Sequence, residues 1–377
     1  MSKYHAPFRY DYVGSFLRPE ALKTARADFE AGKIPKDALT AAEDEAIRDL
    51  IGKQKAAGYH VITDGEFRRS YWHLDFMWGL NGVEHVELDH GYFFHGEETT
   101  HGTAVLSGKI SGEKHPFVGH YQFVKQFEDE ETVAKQTIPA PAQLLAELFR
   151  EDNGDNTMKI YPDQEELIQD IAAAYRTVIR DLYAAGCRNL QLDDCTWGMF
   201  CDKNYRAAIE SGKIAVVKSV TQEAEKYLRL NNLALLEKPE DLTVTTHVCR
   251  GNYHSTWASS GGYEPVAPFL FAKENVSAFY LEFDDDRSGG FEPLKHVAPG
   301  KKVVLGLITS KSPVLEDKAT VITRIHEASK YVPLENLYLS PQCGFASCEI
   351  GNKLTEEEEW AKLALVKEIA EEVWPEN

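Results

Sequence analysis

The sequence predicts an α/β protein built as a (β/α)8 TIM barrel, and three observations carry that reading. Short apolar, β-branched segments alternate with long amphipathic ones, the rhythm of a parallel sheet covered by helices on its faces. Eight strand segments can be counted, the number such a barrel needs. No Gly-x-Gly-x-x-Gly follows the first of them, so the rival doubly wound sheet lacks its phosphate-binding turn. At 377 residues the chain suits one large barrel as well as two or three smaller domains. We read residues 1–377 as a single domain.

In chain order the predicted strands are residues 12–16, 60–64, 135–139, 189–193, 243–249, 278–283, 302–309 and 336–340. Helical periodicity marks residues 40–57, 164–185, 205–230, 314–331 and 355–373 between them. Gly58, Gly186 and Gly300 stand where helix gives way to strand, where a left-handed cap is cheapest. Residues 71–134 break the alternation. They hold seven of the 13 histidines with many aromatics and glycines, and they read as a β-rich excursion after the second strand, an inserted arm or lid. No Cys or regular His-x-His spacing accompanies these histidines, so they read as surface and packing residues. Asp152-Asn153-Gly154-Asp155-Asn156 has the flavour of a calcium loop, but its glycine is misplaced for an EF-hand and it reads as a turn.

Composition narrows the function. Hydrophobic residues make up 43% and charged ones 27%, which excludes a disordered chain, a collagen and a coiled coil. A net charge of −19 argues against nucleic acid and anionic membranes as partners, since both select basic surfaces. No apolar run approaches the roughly 20 residues that span a bilayer. The first five residues lack the apolar core of a secretory signal, so the reading is cytoplasmic. Six cysteines are too sparse for a disulfide scaffold, and each is then a thiol or a metal ligand.

In a barrel of this type chemistry gathers at the C-terminal ends of the strands. Polar residues expected there are Ser15, Asp64, Glu66, Asp193, Asp194, His247, Cys249, Glu282, Lys311 and Cys343. Thr246-His247-Val248-Cys249 sets imidazole and thiol two apart, and the period of a strand points both to one side. Pro341-Gln342-Cys343-Gly344 ends the last strand with a residue that lets the backbone turn beside a ligand. Glu282 adds a carboxylate, although Asp284, Asp285 and Asp286 follow closely. His, two Cys and a carboxylate suit zinc, which accepts nitrogen, sulfur and oxygen in tetrahedral geometry. Cys187, Cys195, Cys201 and Cys348 lack such a setting and read as packing residues. Zinc rich in thiolate is a poor activator of water, but it lowers the pKa of an incoming thiol from roughly 8.5. Thiol alkylation is the reaction class that follows.

These residues resemble the C-terminal catalytic domain of cobalamin-independent methionine synthase. The resemblance rests on Val13-Gly14-Ser15-Phe16, Asp64-Gly65-Glu66, Gln191-Leu192-Asp193-Asp194, His247-Val248-Cys249, Glu282 before Arg287-Ser288, and Ser340-Pro341-Gln342-Cys343-Gly344. They run in the family's order across nearly the whole chain, as in its free-standing single-barrel form. The resemblance implies zinc on His247, Cys249, Glu282 and Cys343, with two extra residues between Glu282 and Arg287-Ser288. It implies that Gly14 and Ser15 hold the carboxylate of homocysteine, while Glu66 and Asp193 hold its ammonium. An ion pair with Arg68 or Arg69 is the alternative use of Glu66. Where the family carries a His-Ser-Pro that serves as an acid near the methyl donor, this chain has Lys311-Ser312-Pro313. Lysine's ordinary pKa near 10.4 makes it a poorer acid, so it can instead bind an anion.

The implied reaction is zinc-dependent transfer of a methyl group from 5-methyltetrahydrofolate (polyglutamate) to homocysteine, forming methionine. Arg18, Arg68, Arg69, Arg250 and Arg287 lie beside strand ends and offset the −19 charge locally for an anionic donor, unless they pair with neighbouring acids. Two rivals stand beside this reading: alkyl transfer to another thiol such as coenzyme M, and a non-catalytic zinc or amino-acid binding protein.

Overall fold

The computed structural model describes residues 5–214 and 219–375. The chain enters along the edge of the last strand, where Tyr10 bridges Leu339 in parallel. The predicted strand 12–16 does not form; ladder contact stops near Asp11 and the chain bends toward the site. Two helices follow, α1 (Glu20–Glu30), which periodicity did not mark, and α2 (Lys36–Ala56). After the short β1 (Val61–Ile62) the excursion begins. It contains α3 (Leu74–Trp78), β2 (Asn81–Glu87), β3 (Phe93–Phe94), β4 (Glu97–Glu98), β5 (Gly102–Ser111) and α4 (Pro116–Lys125). β2 pairs antiparallel with β5, and β3 with β4.

β6 (Val133–Ala134) returns to lie parallel to β1, and β7 (Gln136–Pro139) continues from it. The second half reads α5 (Pro141–Glu147), α6 (Asn153–Ile160), α7 (Gln164–Ala184), β8 (Asn189–Asp194), α8 (Thr196–Cys201), α9 (Lys203–Glu210) and α10 (Val220–Ala234). It ends with β9 (Thr243–Val248), α11 (Ala267–Lys273), β10 (Ala278–Glu282), β11 (Lys302–Ile308), α12 (Lys318–Ala328), β12 (Leu337–Pro341) and α13 (Glu356–Val373). Strands β7 to β12 form one six-stranded parallel ladder in chain order. Their side chains are buried almost throughout, as expected of strands covered on both faces.

This is the α/β architecture the alternation predicts. A barrel is consistent with the strand order, but strand pairing does not close one. Between residues 12–16 and β1 the join is made by Phe16 N–H to the Gly65 carbonyl (3.1 Å) and Thr63 Oγ1 to the Gly14 carbonyl (3.0 Å). Lys135 fastens the entering segment from inside, its Nζ 2.8 Å from Asp11 Oδ1 and 2.6 Å from the Tyr12 carbonyl. Tyr280 donates to the other oxygen of Asp11 (2.7 Å), so β10 shares the contact. A fully buried ion pair of this kind fixes register more than it adds stability.

Local chemistry explains the other departures. The predicted helix 205–230 is two helices among the described residues, and residues 215–218 lie outside them. α9 stops where Gly212 takes a φ of +72°, and Ser219 caps α10 by accepting from Gln222 N–H. The expected turn at 152–156 is the start of α6. The helix predicted from 314 begins only at Lys318, where Asp317 caps it. Among the described residues, no helix is long and apolar enough to cross a membrane.

Behind the sheet's C-terminal end, Asn231 of α10 donates to both Asp194 Oδ2 (3.0 Å) and Glu274 Oε1 (2.8 Å), and accepts from Ala142 N–H (2.9 Å). Burial, with the charge of Asp194 nearby, pushes the Glu274 carboxyl up to about 8. The folded state therefore keeps a proton that the unfolded chain releases near its ordinary value of 4.5. Stability from this group is lost as pH rises from there to about 8. Replacing Glu274 with Gln removes that slope. In thermal melts the variant should gain at least about 2 °C over the wild type between pH 5 and pH 8; parallel curves would contradict the assignment.

Candidate metal centre

Three parallel strands deliver their ends to one point. His247 is the penultimate residue of β9 and Cys249 follows its last, Glu282 closes β10, and Cys343 lies two residues beyond β12. One ligand atom from each residue lies within 4.8 Å of every other. The two sulfurs are 3.7 Å apart. All four residues are buried. The alternation of β9 accounts for the first pair, because residues two apart share a face of the sheet. The bond from Gln342 N–H to the Ile308 carbonyl (2.8 Å) ties the Cys343 turn to the end of β11.

The electrostatics of this cluster are those of donors lacking a common partner. Neither ring nitrogen of His247 has a hydrogen bond, nor has Glu282 Oε2. Glu282 Oε1 accepts from Arg250 N–H (2.8 Å), and Cys249 Sγ accepts from Gly251 N–H (3.2 Å). Burial, reinforced by the neighbouring Cys249, pushes the Glu282 carboxyl up to about 7. Buried polar atoms left unpaired cost free energy. A divalent cation removes that cost, and one nitrogen, two sulfurs and one oxygen match the donors of tetrahedral zinc. The residues fit that ion.

Cys195 is the residue that sequence reasoning missed. The neighbouring thiols of Cys195 and Cys343 pull the Cys249 thiol down, and Cys195 lines the same cavity as both, so a third sulfur adjoins the cluster instead of serving only in packing. Its position directly after Asp193-Asp194, at the end of β8, was the available signal. Lys311 Nζ is buried without a hydrogen bond, and its charge pulls down both Glu282 and Cys343. It lies beside the four-residue cluster.

The structure brings the expected substrate residues to the same place. Asp193 is the partner of His247 in the ladder. Its Oδ1 accepts from Gln191 Nε2 (2.8 Å), and burial pushes the carboxyl up to about 7. Glu66 Oε1 accepts from Thr137 Oγ1 (2.8 Å) and pairs with Arg69 (3.1 Å), while Oε2 has no partner; burial raises its pKa also. The ion-pair alternative is thus realised with Arg69 at one oxygen. Arg68 pairs with Glu43 and Asp44 instead. Ser15 packs on the Cys343 turn: its carbonyl accepts from Phe345 N–H (3.0 Å) and its Oγ from Ala346 N–H (3.3 Å). A Cβ on Gly344 would lie 1.9 Å from that Oγ, so only glycine fits. Gly14, at φ +152°, brings its backbone against Thr137.

Ser15, Glu66, Asp193, His247, Cys249 and Cys343 line a cavity of about 790 Å³, whose walls include Trp72, Tyr92 and Phe94 from the excursion. The five arginines do not offer free charge to it. Arg18 bonds four carbonyls, Arg250 bonds the Gly261 carbonyl and Tyr263, and Arg287 faces Asp284, Asp285 and Glu282. They hold loops together, a correction to the expectation that they serve an anionic donor.

A family model described as the cobalamin-independent synthase catalytic domain matches residues 11–372. The chain belongs to this family. Among its relatives is YxjH of Bacillus subtilis, an uncharacterized protein 44% identical over 372 residues, which are 98% of this chain and 95% of the relative. A methionine synthase of Pyrococcus horikoshii is 24% identical over 338 residues, 88% of this chain and 84% of that one. A solved structure from Listeria monocytogenes, assigned to the vitamin-B12-independent methionine synthases, superposes with a TM-score of 0.76, at 40% identity and 98% coverage of both chains. Membership of the cobalamin-independent synthases supports a methionine-synthase-like methyl transfer.

Removal of an outer-sphere partner alone commonly weakens metal binding about 10–100-fold. His247→Ala and Cys343→Ser, which remove ligands outright, should therefore lose most bound metal on dialysis. Elemental analysis checks this, and full metal content in these variants would contradict the cluster's role.

Proposed function

We propose that the chain is a zinc-dependent methyltransferase that forms methionine from homocysteine, working as a single cytoplasmic barrel domain. The observation that carries this reading is the meeting of two thiols, an imidazole and a carboxylate beside a chamber that Glu66 and Asp193 also line, each with its carboxyl pushed up by burial. Zinc on His247, Cys249, Glu282 and Cys343 supplies one thing when bound: it favours the thiolate form of an incoming thiol near neutral pH.

The remaining steps belong to the chain. Glu66 and Asp193 carry a desolvation cost that a substrate ammonium offsets, which drives both carboxyls back to their charged forms. Gly14 and Ser15 hold the amino-acid carboxylate, anchored through the turn that also carries Cys343. With both ends fixed, the homocysteine sulfur has one direction left, toward the metal ligands, and the reaction gains from orientation. Lys311 offsets the negative charge of Glu282 and Cys343 and acts on the reaction through them. The methyl donor that the family resemblance implies is 5-methyltetrahydrofolate, whose N5 must gain a proton as it leaves. Residues 71–134 act as the arm that walls the donor from solvent.

The acid pair separates this reading from alkylation of a thiol such as coenzyme M, which has no ammonium to hold, and turnover separates it from a zinc or amino-acid binding protein. Losing a charge-assisted hydrogen bond costs about 1.5–3 kcal/mol. Asp193→Asn should therefore raise the KM for homocysteine about 10–100-fold with metal content unchanged. For 4-mercaptobutyrate, which lacks the amino group, wild type and variant should perform alike. Steady-state methyl transfer to both thiols tests this; an equal loss on both would contradict the ammonium site.

A further inference from the structure

The loop that follows Cys249 has two working edges. Residues 250–258 close on themselves, because Ala258 N–H bonds the Arg250 carbonyl (3.0 Å) and Tyr253 bridges Thr256 inside the turn. The inner edge reaches the metal centre at three of its four residues. Gly251 N–H bonds Cys249 Sγ (3.2 Å), and Arg250 N–H bonds Glu282 Oε1 (2.8 Å). Asn252 Nδ2 donates to the carbonyl of Gly344 (2.7 Å), the residue after Cys343.

The outer edge carries the tip of the excursion, the hairpin of β3 and β4. His95 N–H bonds the Trp257 carbonyl (2.9 Å), and the two rings stack with centroids 5.0 Å apart and planes 9° from parallel. Phe94 packs on Tyr253, with ring centroids 5.3 Å apart. Glu97 accepts from His254 Nδ1 (3.0 Å) and Lys353 Nζ (2.9 Å), while Lys353 N–H is itself bonded to Ser255 Oγ (2.9 Å). An ion pair this exposed contributes little alone. Here it acts together with a ring stack and a backbone bond on the same short segment.

Gly251 is where the two edges meet. Its φ is +93°, and a Cβ there would lie 2.9 Å from Phe94 Cε1 and 2.6 Å from Ala258 N. The phenyl ring of the hairpin therefore sits against the residue whose N–H holds a sulfur of the cluster. His254 and Ser255 take φ values of +46° and +67° without being glycine. Side-chain-bearing residues keep such a backbone only where surrounding contacts enforce it. Those contacts come from the hairpin through Glu97 and from Asn352, whose Oδ1 accepts from Ser255 N–H (2.9 Å).

We propose that the hairpin at 93–98 is a positioning element of the metal centre: seated on loop 250–258 it holds three of the ligands in place, and metal on those ligands in turn holds the hairpin down over the chamber. The inference rests on the metal-centre reading above and extends it to residues that touch neither metal nor substrate. Coupling of this kind is reciprocal, since each side must shift the other's equilibrium by the same factor.

Hydrogen exchange of the wild-type chain, with excess zinc and after chelation, measures one direction. Peptides covering 92–99 and 250–258 should exchange at least about threefold more slowly with zinc, while a control peptide from α2 keeps one rate. Competition for zinc against a chelating dye measures the other direction. Glu97→Lys, which reverses the charge facing His254 and Lys353, and Trp257→Ala, which removes the ring stack, should each weaken zinc binding at least about threefold. A smaller loss in both variants would overturn the proposal. So would hairpin exchange that zinc leaves unchanged, a comparison that needs no variant to fold, or equal slowing in α2, which marks a general stiffening. A wild-type chain that takes up no zinc sinks the metal-centre reading itself.

Discussion

The structure depends on one constraint: strands that run parallel deliver their C-terminal ends to the same side of the sheet. Because β8, β9, β10 and β12 belong to one in-order ladder, Asp193, His247, Glu282 and Cys343 reach a common region though they are far apart in sequence. Concentrating an imidazole, two sulfurs and a carboxylate there without water is unfavourable unless a cation joins them. The upward shift of Glu282 and the orphaned nitrogens of His247 express that cost. Fold and metal preference are thus two views of the same geometry.

Much of the centre was legible in the residues, and the reasons are specific. His247-Val248-Cys249 reads as a ligand pair because a strand repeats every two residues, and the structure keeps both on one side. Glu282 stood among four nearby carboxylates, yet the end of β10 selects it, and Asp284 and Asp285 turn to Arg287. Cys195 was hidden because nothing in its local spacing reveals how close β8 brings it to β9. The contact of Ser15 with Gly344 was hidden for the same reason, since it joins residues at opposite ends of the chain. The entering segment misled more directly. Residues 12–16 have strand composition, but in place of a ladder Lys135 holds the Tyr12 carbonyl and the preceding Asp11, which Tyr280 also bonds, and Phe16 N–H meets the Gly65 carbonyl.

Charge shows how a global quantity can mislead at a local site. The net −19 called for basic residues near an anionic donor, and five arginines stood beside strand ends. Each is instead consumed by a carbonyl, a hydroxyl or an acid of its own loops. Planar guanidinium groups are well suited to such stitching because one head bonds several acceptors at once. The irregular segments that carry the site are thereby made rigid, and the chamber above is left to aromatic surface. The excursion at 71–134 contributes to that surface through Trp72, His73, Tyr92, Phe93 and Phe94.

X-ray absorption at the zinc edge of the purified enzyme, before any substrate is added, tests the central claim most directly. Two sulfur scatterers at about 2.3 Å and two nitrogen or oxygen scatterers at about 2.0–2.2 Å are the result this account requires. A metal shell without sulfur, or with a single sulfur, would contradict it.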